Sequence, residues 1–278
     1  MTQSLKLMCV LAHPDDESLA TGGVLAKYAA EGVETYLLTA TRGERGWWGR
    51  AEDNPGLTEL GRIREAELRA AARMLGLREV VLLDYIDGEL DRADPIEAAV
   101  KIAAQLRRVR ADVVITFDPD GVYGHPDHIA ISQLTMAAIV LAADATHADG
   151  GRPPHRVSKL YYRTFTAAHL AAYQVAFGDL VMHIDGEERR AVGWPEWAVT
   201  TRVDTGAYWP QVWAAVEKHC SQLPGYQKLK NLPTEHHRNL WGVQTYYRAF
   251  SLVNGGRDVE TDLFEGLRDR LPVTAGGG

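Results

Sequence analysis

The chain has 278 residues, 46% of them hydrophobic and 24% charged, enough for one sizeable core and ordinary for a globular protein. The formal net charge of -7 argues against a general nucleic-acid binder, which carries a basic excess. Two cysteines, Cys9 and Cys220, exclude a disulfide framework or a paired-cysteine metal site.

The first residues lack the apolar core of a signal peptide, and no apolar run is long enough to span a bilayer. A cytoplasmic protein with no membrane span is the expectation. Residues 5–12 form a near-continuous apolar run with Cys9 inside it, the mark of a strand covered on both faces. Residues 19–31 are rich in Ala and Leu and read as a helix stopping near Gly32. A second strand follows at 33–40, and a helix at 59–75 ends against Gly76. A third strand spans 80–83. Residues 95–109 read as a helix with proline in its first turn, where proline is tolerated. A fourth strand at 113–117 and a helix at 128–143 complete the rhythm.

Past residue 143 the pattern weakens. Residues 149–154 are a Gly/Pro loop, 159–165 and 199–203 read as strands, and 208–221 as a helix. Residues 186–197, with Glu187-Glu188-Arg189-Arg190, read as a solvated turn, and 274–278 as a frayed tail. Strand alternating with helix predicts a three-layer α/β/α, Rossmann-like fold with a mostly parallel sheet. The expected organisation is one domain over 1–278, with a core at 1–145 and a substrate-shaping part at 146–278. In such sheets the functional groups gather beyond the carboxyl ends of the strands.

Two clusters fall there. His13-Pro14-Asp15-Asp16-Glu17 follows the first strand, and Tyr123-Gly124-His125-Pro126-Asp127-His128 follows the fourth. Either alone reads as a polar turn with helix-capping groups. Two such turns on one edge of a parallel sheet point to a shared site. Two imidazoles and one carboxylate suit zinc, which keeps three protein ligands and one open position in catalytic sites. His13, Asp16 and His128 are the expected ligands, and the same group also suits iron(II). Asp15 is left over as a candidate base, and His125 with Tyr123 as candidates for the oxyanion and the leaving amine.

These two strings, AHPDDE and YGHPDH, resemble the PIG-L/LmbE-like family of zinc N-deacetylases, including those of mycothiol and bacillithiol synthesis. The resemblance implies a zinc-dependent hydrolase that removes an acetyl group from an N-acetylglucosamine-type small molecule. It carries the ligand role to His13, Asp16 and His128, the base to Asp15, and the second catalytic histidine to His125. Tyr123 matches a tyrosine used near the oxyanion. Arg64 and Asp87 match positions that hold substrate hydroxyls, and His219-Cys220-Ser221-Gln222 resembles the family's His-x-Ser-Gln string. Related readings are an amidase acting on a mycothiol-like conjugate and a non-catalytic metal-binding module.

Trp47 and Trp48, flanked by Gly46 and Gly49, could stack on a sugar or aglycone, pack their own loop, or face a second subunit in an oligomer. Arg42 and Arg45 read as solvated, as do His236 and His237. Trp194, Trp197, Trp209 and Trp241 read as core or interface residues.

Overall fold

The computed structural model describes residues 4–184 and 186–268; the tail expected at 274–278 lies outside them. Five parallel strands form the first part of the sheet: β1 (Lys6–Leu11), β2 (Glu34–Thr41), β3 (Glu79–Tyr85), β4 (Val113–Phe117) and β5 (Lys159–Thr164). Around them lie α1 (Asp16–Leu19), α2 (Gly22–Ala30), α3 (Leu57–Met74), α4 (Pro95–Val109), the irregular turn α5 (Gly121–Gly124) and α6 (Pro126–Ala143). The second part adds α7 (Ala167–Phe177), the ribbon β6 (Val181–Ile184) and β7 (Glu187–Arg190), and β8 (Thr201–Asp204). It ends with α8 (Trp209–Val216), α9 (Leu223–Lys230), α10 (Thr234–Trp241) and β9 (Val243–Ser251).

The seven-stranded sheet has the order β3-β2-β1-β4-β5-β9-β8, with β9 antiparallel to both its neighbours. The expected mostly parallel α/β architecture is thus present. β1 is central because every residue after Lys6 in Leu7-Met8-Cys9-Val10-Leu11 is buried. Burying each larger apolar side chain there contributes roughly 1.5–3 kcal/mol. The strand order reverses between β1 and β4, so the crevice beyond their carboxyl ends is the topological switch point of the sheet.

Local chemistry sets the helices that matter. Asp94 caps α4, accepting from the amides of Ile96 and Glu97 at 2.8 and 3.1 Å, with Pro95 in the first turn. His125 caps α6 in the same way, its Nδ1 accepting from the Asp127 amide at 3.2 Å, again ahead of a proline. Contrary to the expectation that no run is long enough, α6 has the length and apolar composition to cross a membrane, but more than half of it is buried inside the fold.

Several expectations need correction. The helix expected at 19–31 is α2, which starts three residues later at Gly22 because a separate short helix, α1, occupies Asp16–Leu19 and the chain breaks at Ala20 and Thr21. α6 starts two residues earlier than expected, which puts His128 in its first turn. The charged stretch 187–190 is not a solvated turn but strand β7, paired antiparallel to β6, and Arg189 donates to the Gly124 carbonyl at 2.8 Å. His237 is buried among Trp209, Trp213 and Trp241, and His236 holds the Ala172 carbonyl. Arg42 and Arg45 are engaged in ion pairs, the first with Glu65 and Asp84, the second with Glu89. Trp197 is 85% exposed, whereas Trp241 is fully buried.

Candidate metal and active site

β1 ends at Leu11, and the chain turns at once into His13 and Asp15. Asp15 is in the left-handed region at φ 105°, a conformation uncommon for a residue with a Cβ. That turn lets Asp16 begin α1 and aim its carboxylate back at His13, whose amide donates to Asp16 Oδ2 at 2.7 Å. On the other side of the switch point, Gly121 takes φ +65° where a Cβ would sit 2.9 Å from His128 Cβ. The tight turn brings the first residues of α6 against the end of β1.

Three donors converge. His13 Nδ1 lies 3.2 Å from His128 Nε2 and 3.7 Å from Asp16 Oδ2, and His128 Nε2 lies 3.6 Å from Asp16 Oδ1. With the carboxylate taken as one corner, a triangle of such sides has its centre about 2 Å from each corner, the zinc-to-ligand distance. Burial pushes the Asp16 carboxyl up to about 7, and a cation would restore its charged form. Burial and the charge of His13 push His128 well down, so its imidazole is neutral and free to ligate. The donor set therefore fits a divalent cation.

The outer nitrogen of His13 is gripped from behind. Nε2 is 3.1 Å from Asp127 Oδ2 and 3.1 Å from Asp87 Oδ1. Burial alone would lower the His13 pKa; hydrogen bonds to Asp127 and Asp87 outweigh it and hold it well above the usual value. A carboxylate on the far nitrogen fixes the tautomer and raises the basicity of a ligating histidine. Asp127 is itself fixed by the amides of Gly88 and Leu90 at 2.7 and 3.1 Å. His13, His125 and Asp127 also cluster closely enough to hold an ion. His13 Nε2 is already committed to the two carboxylates, so that group reads as the support of His13.

His125 stacks on His128, with ring centroids 4.6 Å apart. Burial and the neighbouring His13 lower its pKa to about 4. Because Nδ1 accepts from the Asp127 amide, the proton of this neutral ring sits on Nε2, which is a donor. Tyr123 packs edge-on against both histidines, and burial pushes its phenol up, so it too stays a donor.

Asp15 Oδ2 accepts from Arg64 Nη2 at 3.1 Å and from the Tyr226 hydroxyl at 2.7 Å. Arg64 is buried and also donates to the carbonyls of Pro14 and Gly43. A Cβ on Gly43, at φ +65°, would meet the Arg64 guanidinium at 2.3 Å. The residues expected to hold substrate hydroxyls thus have inner partners in this structure: Arg64 bonds to Asp15, and Asp87 backs His13 while accepting from the Arg45 amide. Trp47 closes its own loop through the Arg50 carbonyl. Trp48 lays its ring on Gly225 and remains 59% exposed.

Four contributors carry no expectation from the sequence. Asp127 stands between the two histidines of one motif and is passed over when only imidazoles are counted. Tyr226 has no motif of its own. Glu17 is buried against His219 at 2.7 Å. Glu67 accepts from the amide and hydroxyl of Ser221, both at 2.7 Å. The His-x-Ser-Gln string is the available signal for the last two: Gln222 completes it by donating to the Gly46 carbonyl.

Residues 8–139 match the PIG-L family, described as GlcNAc-PI de-N-acetylase. The chain is 31% identical to the 1D-myo-inositol 2-acetamido-2-deoxy-alpha-D-glucopyranoside deacetylase of Kineococcus radiotolerans, over 96% of this chain and 84% of that enzyme. Among solved structures it resembles the conserved protein TT1542 of Thermus thermophilus, with 29% identity, a TM-score of 0.64, and coverage of 90% of this chain and 97% of the other. It also shares its fold with GalB, the 4-carboxy-2-hydroxymuconate hydratase of Pseudomonas putida, with 20% identity, a TM-score of 0.65, and coverage of 91% and 99%.

Proposed function

The chain belongs to the PIG-L family, and from that premise we propose that it is a zinc hydrolase that frees acetate from a glucosaminyl-inositol-type acetamide. The relative named above carries that substrate in its name, and this supports the choice among acetylated amino sugars. His13, Asp16 and His128 are the proposed ligands, with zinc preferred over iron(II) because two imidazoles and one carboxylate suit it. The whole chain acts as one domain, in which the second part supplies residues that hold the metal loops.

The observation that carries the reading is the pair left over beside the ligand triangle, Asp15 and His125. A cation alone needs neither. A bound divalent cation supplies a Lewis acid that lowers the pKa of water and polarises the amide carbonyl. The rest is done by side chains. Asp15, steadied through Oδ2 by Tyr226 and Arg64, takes a proton from the attacking water. His125 presents its Nε2 proton to the developing oxyanion or the departing amine, and the Tyr123 hydroxyl is a second donor on the same side. Trp48, its outer face open, is the proposed platform for the sugar or its aglycone.

The fold alone does not decide the chemistry, since the hydratase shares it. Acetate release from N-acetylglucosaminyl-inositol, N-acetylglucosamine and an acetylated cysteinyl conjugate, measured with zinc-loaded protein, tests the proposal. Release of acetate from the first supports it. Cleavage of the conjugate's larger amide alone would shift the assignment to an amidase, and no release from any would end it.

A further inference from the structure

We infer that Glu17 and His219 form a positioning pair whose task is to hold the backbone of Asp15 in its reactive conformation. The inference rests on Asp15 being the base proposed above. Asp15 sits at φ 105°, a strained region for an aspartate that persists only where surroundings impose it. The imposing group is Glu17. Its Oε2 accepts from the Asp15 amide at 2.9 Å. Its Oε1 accepts from Ser18 Oγ at 2.5 Å and from His219 Nε2 at 2.7 Å. Both side chains of the pair are fully buried, and neither is one of the proposed ligands or donors.

A buried carboxylate and imidazole are costly to desolvate and are commonly replaceable by apolar residues without loss of stability. Here an apolar pair would leave the Asp15 amide without its acceptor and free the turn to relax. His219 comes from the turn after α8, 202 positions further along the chain than Glu17. Further along the same part of the chain, Tyr226 holds the Asp15 carboxylate. The second part of the chain therefore sets the base from two directions, backbone through Glu17 and side chain through Tyr226.

The test is a double-mutant cycle between His219→Ala and Asp15→Asn, read with kcat, KM and bound zinc. In the parent, His219→Ala lowers kcat by about 10- to 100-fold with KM and zinc content held within about twofold, the loss expected when a catalytic group is misplaced by about an ångström. In the Asp15→Asn background the same change costs less than about twofold. His219→Gln, whose amide nitrogen reaches the same acceptor, recovers most of the loss. An unchanged kcat in His219→Ala, or an equal loss in both backgrounds, overturns the inference.

Should His219→Ala fail to fold, Glu17→Gln is read in the same cycle with the same expectation. If the parent frees no acetate, the functional reading has failed and the pair is judged by crystallography. Asp15 leaving the left-handed region in His219→Ala, or in Glu17→Gln where that variant replaces it, supports the pair, and Asp15 keeping it there overturns it.

Discussion

Replacing Asp127 by Asn tests how the metal site is built. The Asp127 carboxylate lies 3.1 Å from the outer nitrogen of His13 and accepts the amides of Gly88 and Leu90. The substitution removes its charge and forces an amide nitrogen towards one of those donors. Losing such a partner of a ligating histidine costs about 10- to 100-fold in metal affinity, or roughly 1.4 to 2.7 kcal/mol. Asp87, also 3.1 Å from the same nitrogen, remains, so the single variant belongs near tenfold and the Asp87→Asn/Asp127→Asn double variant near a hundredfold. The assay is competition for zinc against a chromophoric chelator, with circular dichroism to confirm folding. A folded Asp127→Asn protein with parental zinc affinity would refute the support of His13 by Asp127.

Three shorter predictions follow from the same geometry. Asp15→Ala keeps its zinc but loses about 100-fold or more in kcat, with metal content by elemental analysis and acetate release as paired readouts. Trp48→Ala raises KM several-fold for a glycoside with little change in kcat, because the ring faces solvent beside Gly225 rather than the reacting atoms; unchanged KM for every accepted substrate removes the platform. Burial pushes the Glu260 carboxyl up, but hydrogen bonds from Asn254, Lys159, Tyr161 and Thr201 prevail and hold it at about 2 against an ordinary 4.5. A depressed folded value means this stability is present above pH 4.5 and is lost as the pH falls towards 2, on the order of 3 kcal/mol. Urea midpoints of Glu260→Gln should therefore fall less between pH 7 and pH 3 than those of the parent.

The parts legible in the sequence were those whose signal is local. Residues 5–12 read as a strand because an unbroken apolar run needs cover on both faces. The His13 and His128 clusters read as one site because two parallel strands end on one edge. α4 is legible to its bounds because Pro95 stands where a first helical turn tolerates it. What escaped depends on distant partners. Tyr226 meets Asp15 across 211 positions, and nothing in Gly225-Tyr226 hints at it. β9 pairs antiparallel on β5 and β8, so it falls outside the strand-helix rhythm that located β1 to β4. Glu187-Glu188-Arg189-Arg190 is charged enough to pass for a turn, yet a two-stranded ribbon can carry such residues when both its faces meet water. Arg64 and Asp87 were legible only as residues of the site, through the resemblance, and here each has an inner partner. Both reach the site, but residue type alone does not tell whether a guanidinium or a carboxylate turns outward to a ligand or inward to a neighbour.

The most direct measurement is cation stoichiometry in the parent and in His128→Ala, paired with acetate release from N-acetylglucosaminyl-inositol. Two imidazoles and one carboxylate meeting at the switch point of the sheet predict one tightly held zinc per parent chain, with turnover. In folded His128→Ala they predict loss of both together. Full occupancy in that variant, or turnover by parent protein stripped of metal, would contradict the account.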